Sequence, residues 1–366
     1  VLMALMLLFM LCLGLTGCGS NDTKKAEPAK KIKIVTTIFP AYDWTRQIIG
    51  KDNKNIELML LNTTGADLHS YKPTVEDIAK ISTCDMLIYV GGESEEWVKK
   101  AVGEAQNKKL KAISLLDTLG KNAKVEQVVE GMQEEEHEDD KHHDDKHDHK
   151  DDKHHDDKHD HKDHEHHDDK HVHKDEKAHD HKHAEEEPEY DEHVWLSLRN
   201  AEQFVAVIEK AVSELDAKNK DVYTKNASSY IAQLKALDDN YKKAVAEAKI
   251  KAVLFADRFP FRYLVDDYNL KYYAAFVGCS AETEASFKTI KFLADKVDDL
   301  GLNAVLKIEK SSDKIAKTVI DNTKQKNAAI VEMHSLQAVS ADDISKGASY
   351  LKIMESNLAA LQKALK

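Results

Sequence analysis

Short apolar runs recur along the chain, separated by stretches in which apolar side chains return every three or four positions, and this alternation predicts strands and helices in turn. In the first half strands are predicted at 33–37, 56–61, 86–90 and 112–116, with helices starting near Pro40, Thr74 and Ser94. In the second half strands are predicted at 252–255, 272–276, 304–308 and 329–333, with helices near Phe261, Glu284, Ser312 and Asp342. Crossovers this short favour parallel sheets with helices on their faces, so a βαβ pattern is read twice, giving an α/β fold. Between the two series, residues from about Asn219 to Lys249 keep apolar side chains at helical spacing without Gly or Pro. At 1.5 Å per residue such a helix is about 45 Å long, enough to run along both halves. Its apolar positions keep no strict heptad, which disfavours a coiled-coil dimer, and a monomer is expected.

Two regions break the pattern. The first seventeen residues, VLMALMLLFMLCLGLTG, are almost wholly apolar and end at Cys18. The run is short for a bilayer span. It reads as a lipoprotein signal peptide with a lipobox over 1–18, in which Cys18 becomes the lipidated N-terminus, followed by a polar tether over 19–31. The second region holds seventeen of the twenty histidines, between His137 and His183, in a tract of His, Asp, Glu and Lys interrupted by single Val and Ala residues. Its core is a tandem repeat, KHHDDKHDHKDD from Lys141, KHHDDKHDHKDH from Lys153 and the degenerate EHHDDKHVHKDE from Glu165. With no apolar side chains to pack, it should be disordered until it binds something. Imidazole suits zinc, copper, nickel and cobalt, whereas calcium or magnesium would call for oxygen donors alone, so zinc is the expected ion.

Charge follows the same division. Between Glu134 and Glu187 stand 24 acidic and 10 basic side chains, so the tract carries -14 against a total of -13 and the remaining chain is close to neutral. No basic stripe with interleaved aromatics appears, which argues against nucleic acid as a partner. Without the tract and the N-terminus roughly 290 residues remain, more typical of two domains than of one.

Three histidines lie outside the tract. His69 follows the run IELMLL, His334 follows AAIVEM, and His193 lies in DEHVWLSL just after the tract. Ligands of open α/β sheets bind beyond the carboxyl ends of strands, where His69 and His334 are expected. Asp257, after KAVLFA, and Glu309, after AVLKI, add carboxylates at strand ends. Zinc accepts three imidazoles with an oxygen as a tetrahedral set. Cys84 and Cys279 have no CxxC spacing, which removes a zinc ribbon and a redox motif and leaves free thiols or a disulfide between them. No HExxH, GxSxG or GxxxxGK[ST] is present, although a zinc hydrolase with three histidine ligands is not excluded by counting.

The segments GADLHSYKPTVEDI (65–78), DEHVWLSLRNA (191–201) and YLKIMESNLAALQKAL (350–365) resemble the metal-binding solute-binding lipoproteins of ABC transporters, the zinc and manganese family, with the His-rich loop typical of its zinc branch. The resemblance implies two lobes, each a small parallel sheet flanked by helices, joined by one long rigid backbone helix, with metal in the interlobe cleft. The N-terminal lobe would span 32–217, including a disordered His-rich loop at 134–187, the connecting helix 218–249 and the C-terminal lobe 250–366. His69 and His193 match the family's first two ligands. The third should lie in FADRFPFRYLVDDYNL, which offers Asp257 or Arg258 in place of a histidine, and His334 matches a fourth position that is acidic in many members. The expected ligands are therefore His69, His193, His334 and Asp257. The implied function is capture of Zn2+ on the outer face of the cell membrane, by a lipid-anchored protein without enzymatic activity, and its delivery to an ABC transporter permease. Mn2+ or iron uptake, favoured by an oxygen-richer site with Asp257 and Glu309, is the alternative within the class. A surface adhesin or metal buffer without a transporter is the alternative outside it.

Overall fold

The protein is described by a computed structural model over residues 31–133, 189–280 and 284–366. The apolar leader with Cys18 and the His-rich loop at 134–187 lie outside the described residues. Runs rich in Ile, Val, Leu and aromatic side chains form eight strands, because branched and flat side chains pack well on a pleated surface. In the first lobe the order is β1 (Ile32–Thr36), α1 (Phe39–Ile49), β2 (Ile56–Leu60), α2 (Val75–Thr83), β3 (Met86–Tyr89), α3 (Glu96–Gly103), β4 (Lys111–Ser114) and the short α4 (Leu115–Leu119). Two long helices follow, α5 (Leu198–Leu215) and α6 (Lys220–Glu247). The second lobe contains β5 (Ala252–Phe259), α7 (Arg262–Asp267), β6 (Lys271–Val277), α8 (Phe287–Leu300), β7 (Ala304–Ile308), α9 (Lys314–Asp321), β8 (Ala329–Met333), α10 (Ala341–Ser345) and α11 (Tyr350–Ala364).

Both sheets are four-stranded and parallel, ordered β2-β1-β3-β4 and β6-β5-β7-β8. In each, the chain turns outward in opposite directions from a central pair, β1/β3 or β5/β7, and a crevice is expected beyond the carboxyl ends of those strands. The expected α/β architecture, with two small parallel sheets and a long linking helix, is the observed one. The helical stretch between the lobes is a pair, however: α5 packs along α6, with a single-turn connection at Ala217–Asn219. The first of that pair is an element the periodicity reading left without assignment.

The strand predicted at 252–255 extends to Phe259 in β5. Its pairing with β6 shifts register between Phe255 and Arg258. Such a bulge re-aims the side chains beside it, which here are Asp257 and Arg258. No helix among the described residues is long and apolar enough to cross a membrane.

One apolar core runs through both lobes. It joins Ile34 and Trp44 of the first, Phe204 and Tyr241 of the helix pair, and Phe255 and Leu306 of the second. Trp195 and Tyr350, both fully buried, are its polar-tipped pins. Trp195 Nε1 donates to the Ser335 carbonyl at 2.8 Å, and Tyr350 Oη donates to the Trp195 carbonyl at 2.7 Å. The Tyr350 amide donates to Asp43 Oδ2 at 2.8 Å, and the Tyr350 ring meets Trp44 edge-on at 5.1 Å. Truncating either aromatic would cost about 3–5 kcal/mol through the cavity left behind. The lobes are thus fixed to each other by a shared core as well as by the linking helix.

Candidate metal centre

His69 sits in a single turn, Leu68–Ser70, whose cap is Asp67: Asp67 Oδ1 accepts the His69 amide at 3.0 Å. Gly65 permits the approach to this turn. It has φ +68°, and a Cβ there would lie 2.6 Å from the Ala338 carbonyl of the opposite lobe. The turn is also held across the cleft. Gln337 Oε1 accepts the Leu68 amide at 3.2 Å, Arg258 pairs with Asp67 at 2.9 Å, and Lys310 Nζ donates to the Gly65 carbonyl at 3.2 Å.

His193 is fully buried. Asp191 Oδ1 accepts its amide at 2.8 Å and faces its Nδ1 at 3.0 Å, so Nδ1 carries the proton and Nε2 presents a lone pair. The His69 ring is turned in the same sense. Its Nδ1 lies 2.7 Å from Ser94 Oγ and 3.5 Å from Glu192 Oε2, which leaves Nε2 as the basic atom. The two Nε2 atoms stand 3.3 Å apart. Two zinc–nitrogen bonds of about 2.0–2.1 Å at a tetrahedral angle hold their nitrogens about 3.3–3.4 Å apart. Each imidazole also has the hydrogen-bonded partner on its far nitrogen that orients a metal-binding histidine.

Electrostatics divides the pair. Burial, with help from His193 and against the pull of Asp67, lowers the His69 pKa from 6.5 to about 3, so this ring stays neutral. Burial would lower His193 as well, but the charge of Asp191 and its hydrogen bond outweigh it and the pKa is raised. The side-chain amide Nε2 of Gln337 lies 3.1 Å from His193 Nε2 and would have to give way to an incoming ion.

The other expected ligands are placed differently. Asp257 lines a cavity of about 620 Å³ together with His69, Arg258 and Glu309. Its two oxygens already serve backbone amides, Oδ1 that of Arg258 at 2.8 Å and Oδ2 that of Ile308 at 3.1 Å. Glu309 is likewise engaged by the amide and hydroxyl of Ser335 at 2.7 and 2.6 Å. Arg258, at the position where the resemblance expects the third ligand, has no lone pair to offer. His334 stands at the end of the edge strand β8, away from the group that contains His69 and His193. Its Nδ1 lies 2.9 Å from the Leu336 amide and 3.3 Å from Glu309 Oε1.

The residue that joins His69 and His193 is Cys279: the three side chains offer donor atoms that all lie within 4.8 Å of one another. It follows β6 at its carboxyl end, the same kind of position that singled out His69 and His334, and that rule would have found it. By sequence alone Cys279 reads as a free thiol or half of a disulfide. Cys84 and Cys279 are both free thiols, Cys84 buried in the first lobe. Burial pushes the Cys279 thiol well above its ordinary pKa, reinforced by Glu126 and Asp191, so without a metal it is protonated. Gly278 brings it in. A Cβ at that position would meet the His193 ring and the Phe259 carbonyl, each at 3.0 Å.

The chain matches, over residues 34–364, the profile of a family described as ZnuA, zinc-uptake complex component A, periplasmic. It is 28% identical over 359 residues to the zinc-binding lipoprotein AdcA of Streptococcus pneumoniae, covering 98% of this chain and 60% of that protein. It is 28% identical over 353 residues to the high-affinity zinc uptake system protein ZnuA of Bacillus subtilis, covering 95% of this chain and 92% of that protein. The crystal structure of Zn(II)-bound AdcA from Streptococcus pneumoniae superposes with a TM-score of 0.63 at 25% identity, over 92% of this chain and 58% of that one. The chain thus spans about three fifths of the length of the streptococcal relatives it matches. The match through nearly the whole of both lobes and the linking helix means that this chain belongs to the zinc-uptake complex component A family.

Proposed function

We propose that the protein is an extracytoplasmic zinc-binding component that captures Zn2+ between His69 and His193 and delivers it to the membrane permease of an ABC importer. The observation that carries the reading is the 3.3 Å separation of two Nε2 lone pairs, each imidazole being oriented by a partner on its other nitrogen. Nitrogen donors favour zinc over manganese, whose preference is for carboxylate, carbonyl and water. Asp257 and Glu309 would supply the oxygen-rich alternative; their oxygens accept backbone and hydroxyl donors and do not share the close group formed by His69 and His193. The ion is cargo, so a site that holds it without chemistry suffices and no catalytic step is assigned.

In this reading Cys18 carries the lipid anchor, the His-rich loop at 134–187 gathers metal weakly, and the cleft holds it tightly. The protein acts as a monomer beside its permease, with lobes at 32–217 and 250–366 and the connecting helix at 218–249. Competitive titration of zinc and manganese into the chain lacking 134–187 tests the proposal. A single tight site that prefers zinc supports it; a preference for manganese, or loss of the tight site with the tract, overturns it.

A further inference from the structure

Cys279 belongs at once to two groups of side chains that could hold a metal ion. One is His69, His193 and Cys279; the other is Glu126, Glu189 and Cys279, and within each set the donor atoms lie within 4.8 Å of one another. We infer that Cys279 is a shared sulfur donor through which metal passes from an outer carboxylate pair, Glu126 and Glu189, to the inner imidazole pair. The inference rests on the reading of His69 and His193 as the metal pair.

The sets are ordered from solvent to core. Glu189 is exposed, Glu126, Cys279 and His69 are half-buried, and His193 is fully buried. The outer pair stands where the chain returns from the His-rich sequence, two residues after Glu187. Main-chain pairing holds its two segments side by side: the Glu126 amide donates to the Glu189 carbonyl at 2.9 Å, the Asp191 amide to the Lys124 carbonyl at 2.8 Å, and Val125 and Tyr190 form an antiparallel bridge. Glu126 Oε1 in turn accepts the Cys279 amide at 3.1 Å, which ties the sulfur to the outer pair. On its other side Cys279 lines the cleft cavity with His69, and Gly278 lies against the His193 ring.

The donor chemistry sets the direction. Carboxylates bind a borderline ion less tightly than a nitrogen and sulfur set does, so exchange of oxygen for imidazole runs inward. An ion that keeps its bond to Sγ while the carboxylates leave and the imidazoles arrive is never released to water. On coordination the thiol gives its proton to solvent, and the charge of the ion sustains the thiolate. Two imidazoles and one thiolate leave the fourth tetrahedral position open, as suits cargo that must later be given up. Sulfur also makes the site selective for zinc, cobalt and cadmium over manganese.

Cobalt(II) added to the full chain is the probe, because the sulfur–cobalt charge-transfer absorption reports the thiolate directly and the tract has no sulfur. With one equivalent bound, the absorption should appear, be absent in Cys279→Ser, and be accompanied by at least about a tenfold loss of affinity, the lower bound for removing even an outer partner of a metal site. Glu126→Gln combined with Glu189→Gln should slow the appearance of the absorption while leaving its final amplitude unchanged. His193→Ala, which leaves the outer set, should retain a weaker absorption. Loss of the visible cobalt spectrum in His69→Ala without any sulfur absorption in the unmodified chain would overturn the role of Cys279 while leaving the imidazole pair standing. An unchanged rate in the double glutamate variant would overturn the inward path. Tight cobalt binding that survives His69→Ala would instead remove the reading on which the inference rests. A thermal melt of Cys279→Ser in the absence of metal guards against simple unfolding; serine is nearly isosteric and the unmodified melting temperature is expected.

Discussion

The two lobes have the same strand order, with the sequence of strands 2-1-3-4 in one repeated as 6-5-7-8 in the other, yet they bring different chemistry to the cleft. The chain on the first-lobe side offers two imidazoles whose outer nitrogens are occupied by Ser94 and Asp191 and whose inner nitrogens face one another. The second lobe offers Asp257, Glu309 and His334 at strand ends as well placed by topology, but Asp257 and Glu309 hold backbone and hydroxyl donors, His334 Nδ1 holds the Leu336 amide, and none of the three joins the close group of His69 and His193. Among the described residues, only Cys279 on that side joins the histidines. A strand end positions a residue near a ligand; the hydrogen bonds of its remaining atoms decide whether it can bind one.

That contrast can be broken most forcefully at the buried imidazole. His193→Ala should weaken zinc by more than about 100-fold, beyond the upper end for loss of an outer-shell partner, as read by chelator competition. Asp191→Asn keeps the ring but exchanges its acceptor for an amide that supports the wrong tautomer as readily as the right one. It should weaken zinc by about 10–100-fold. Proton competition gives a smaller and graded effect. The His193 pKa is raised above 6.5 and that of His69 lies near 3, so a single proton contests the ion as pH falls through the His193 value. Below that point zinc affinity should lose about a further factor of ten per pH unit, in addition to the dependence set by the proton that the Cys279 thiol releases on binding. In Asp191→Asn the bend should move to lower pH, since the charge that raised His193 is gone. The smallest effect is expected at the second lobe: His334→Ala should change zinc affinity by less than about threefold, a difference under 1 kcal/mol. A tenfold loss there would mean that its Nε2 turns toward the ion.

Much of the fold was legible because parallel strands buried on both faces are short continuous apolar runs. The strands at 304–308 and 329–333 coincide with Ala304–Ile308 and Ala329–Met333. The extension of β5 to Phe259 was not legible, because charged Asp257 and Arg258 interrupt its apolar run at a bulge that only pairing with β6 reveals. Helix Leu198–Leu215 was missed although its apolar face is well formed, Ala201, Val205, Ile208 and Val212 all being buried. At the site, His69 and His193 could be named from their motifs, whereas the contacts that engage His334 Nδ1, the Leu336 amide and Glu309 Oε1, come from the fold and are invisible in sequence. Cys279 illustrates the opposite case: its place after a strand was readable, but without a CxxC partner it was read as a free thiol or half of a disulfide and not as a ligand.

The most direct measurement is zinc titration, by competition with a chelator of known affinity, of two double variants of the chain lacking 134–187. Substituting alanine for His69 and His193 should abolish the tight site, and substituting His334→Ala with Asp257→Asn should leave it nearly intact. The reverse result, a site lost with His334 and Asp257 but kept without His69 and His193, would contradict the assignment of the metal to the imidazole pair.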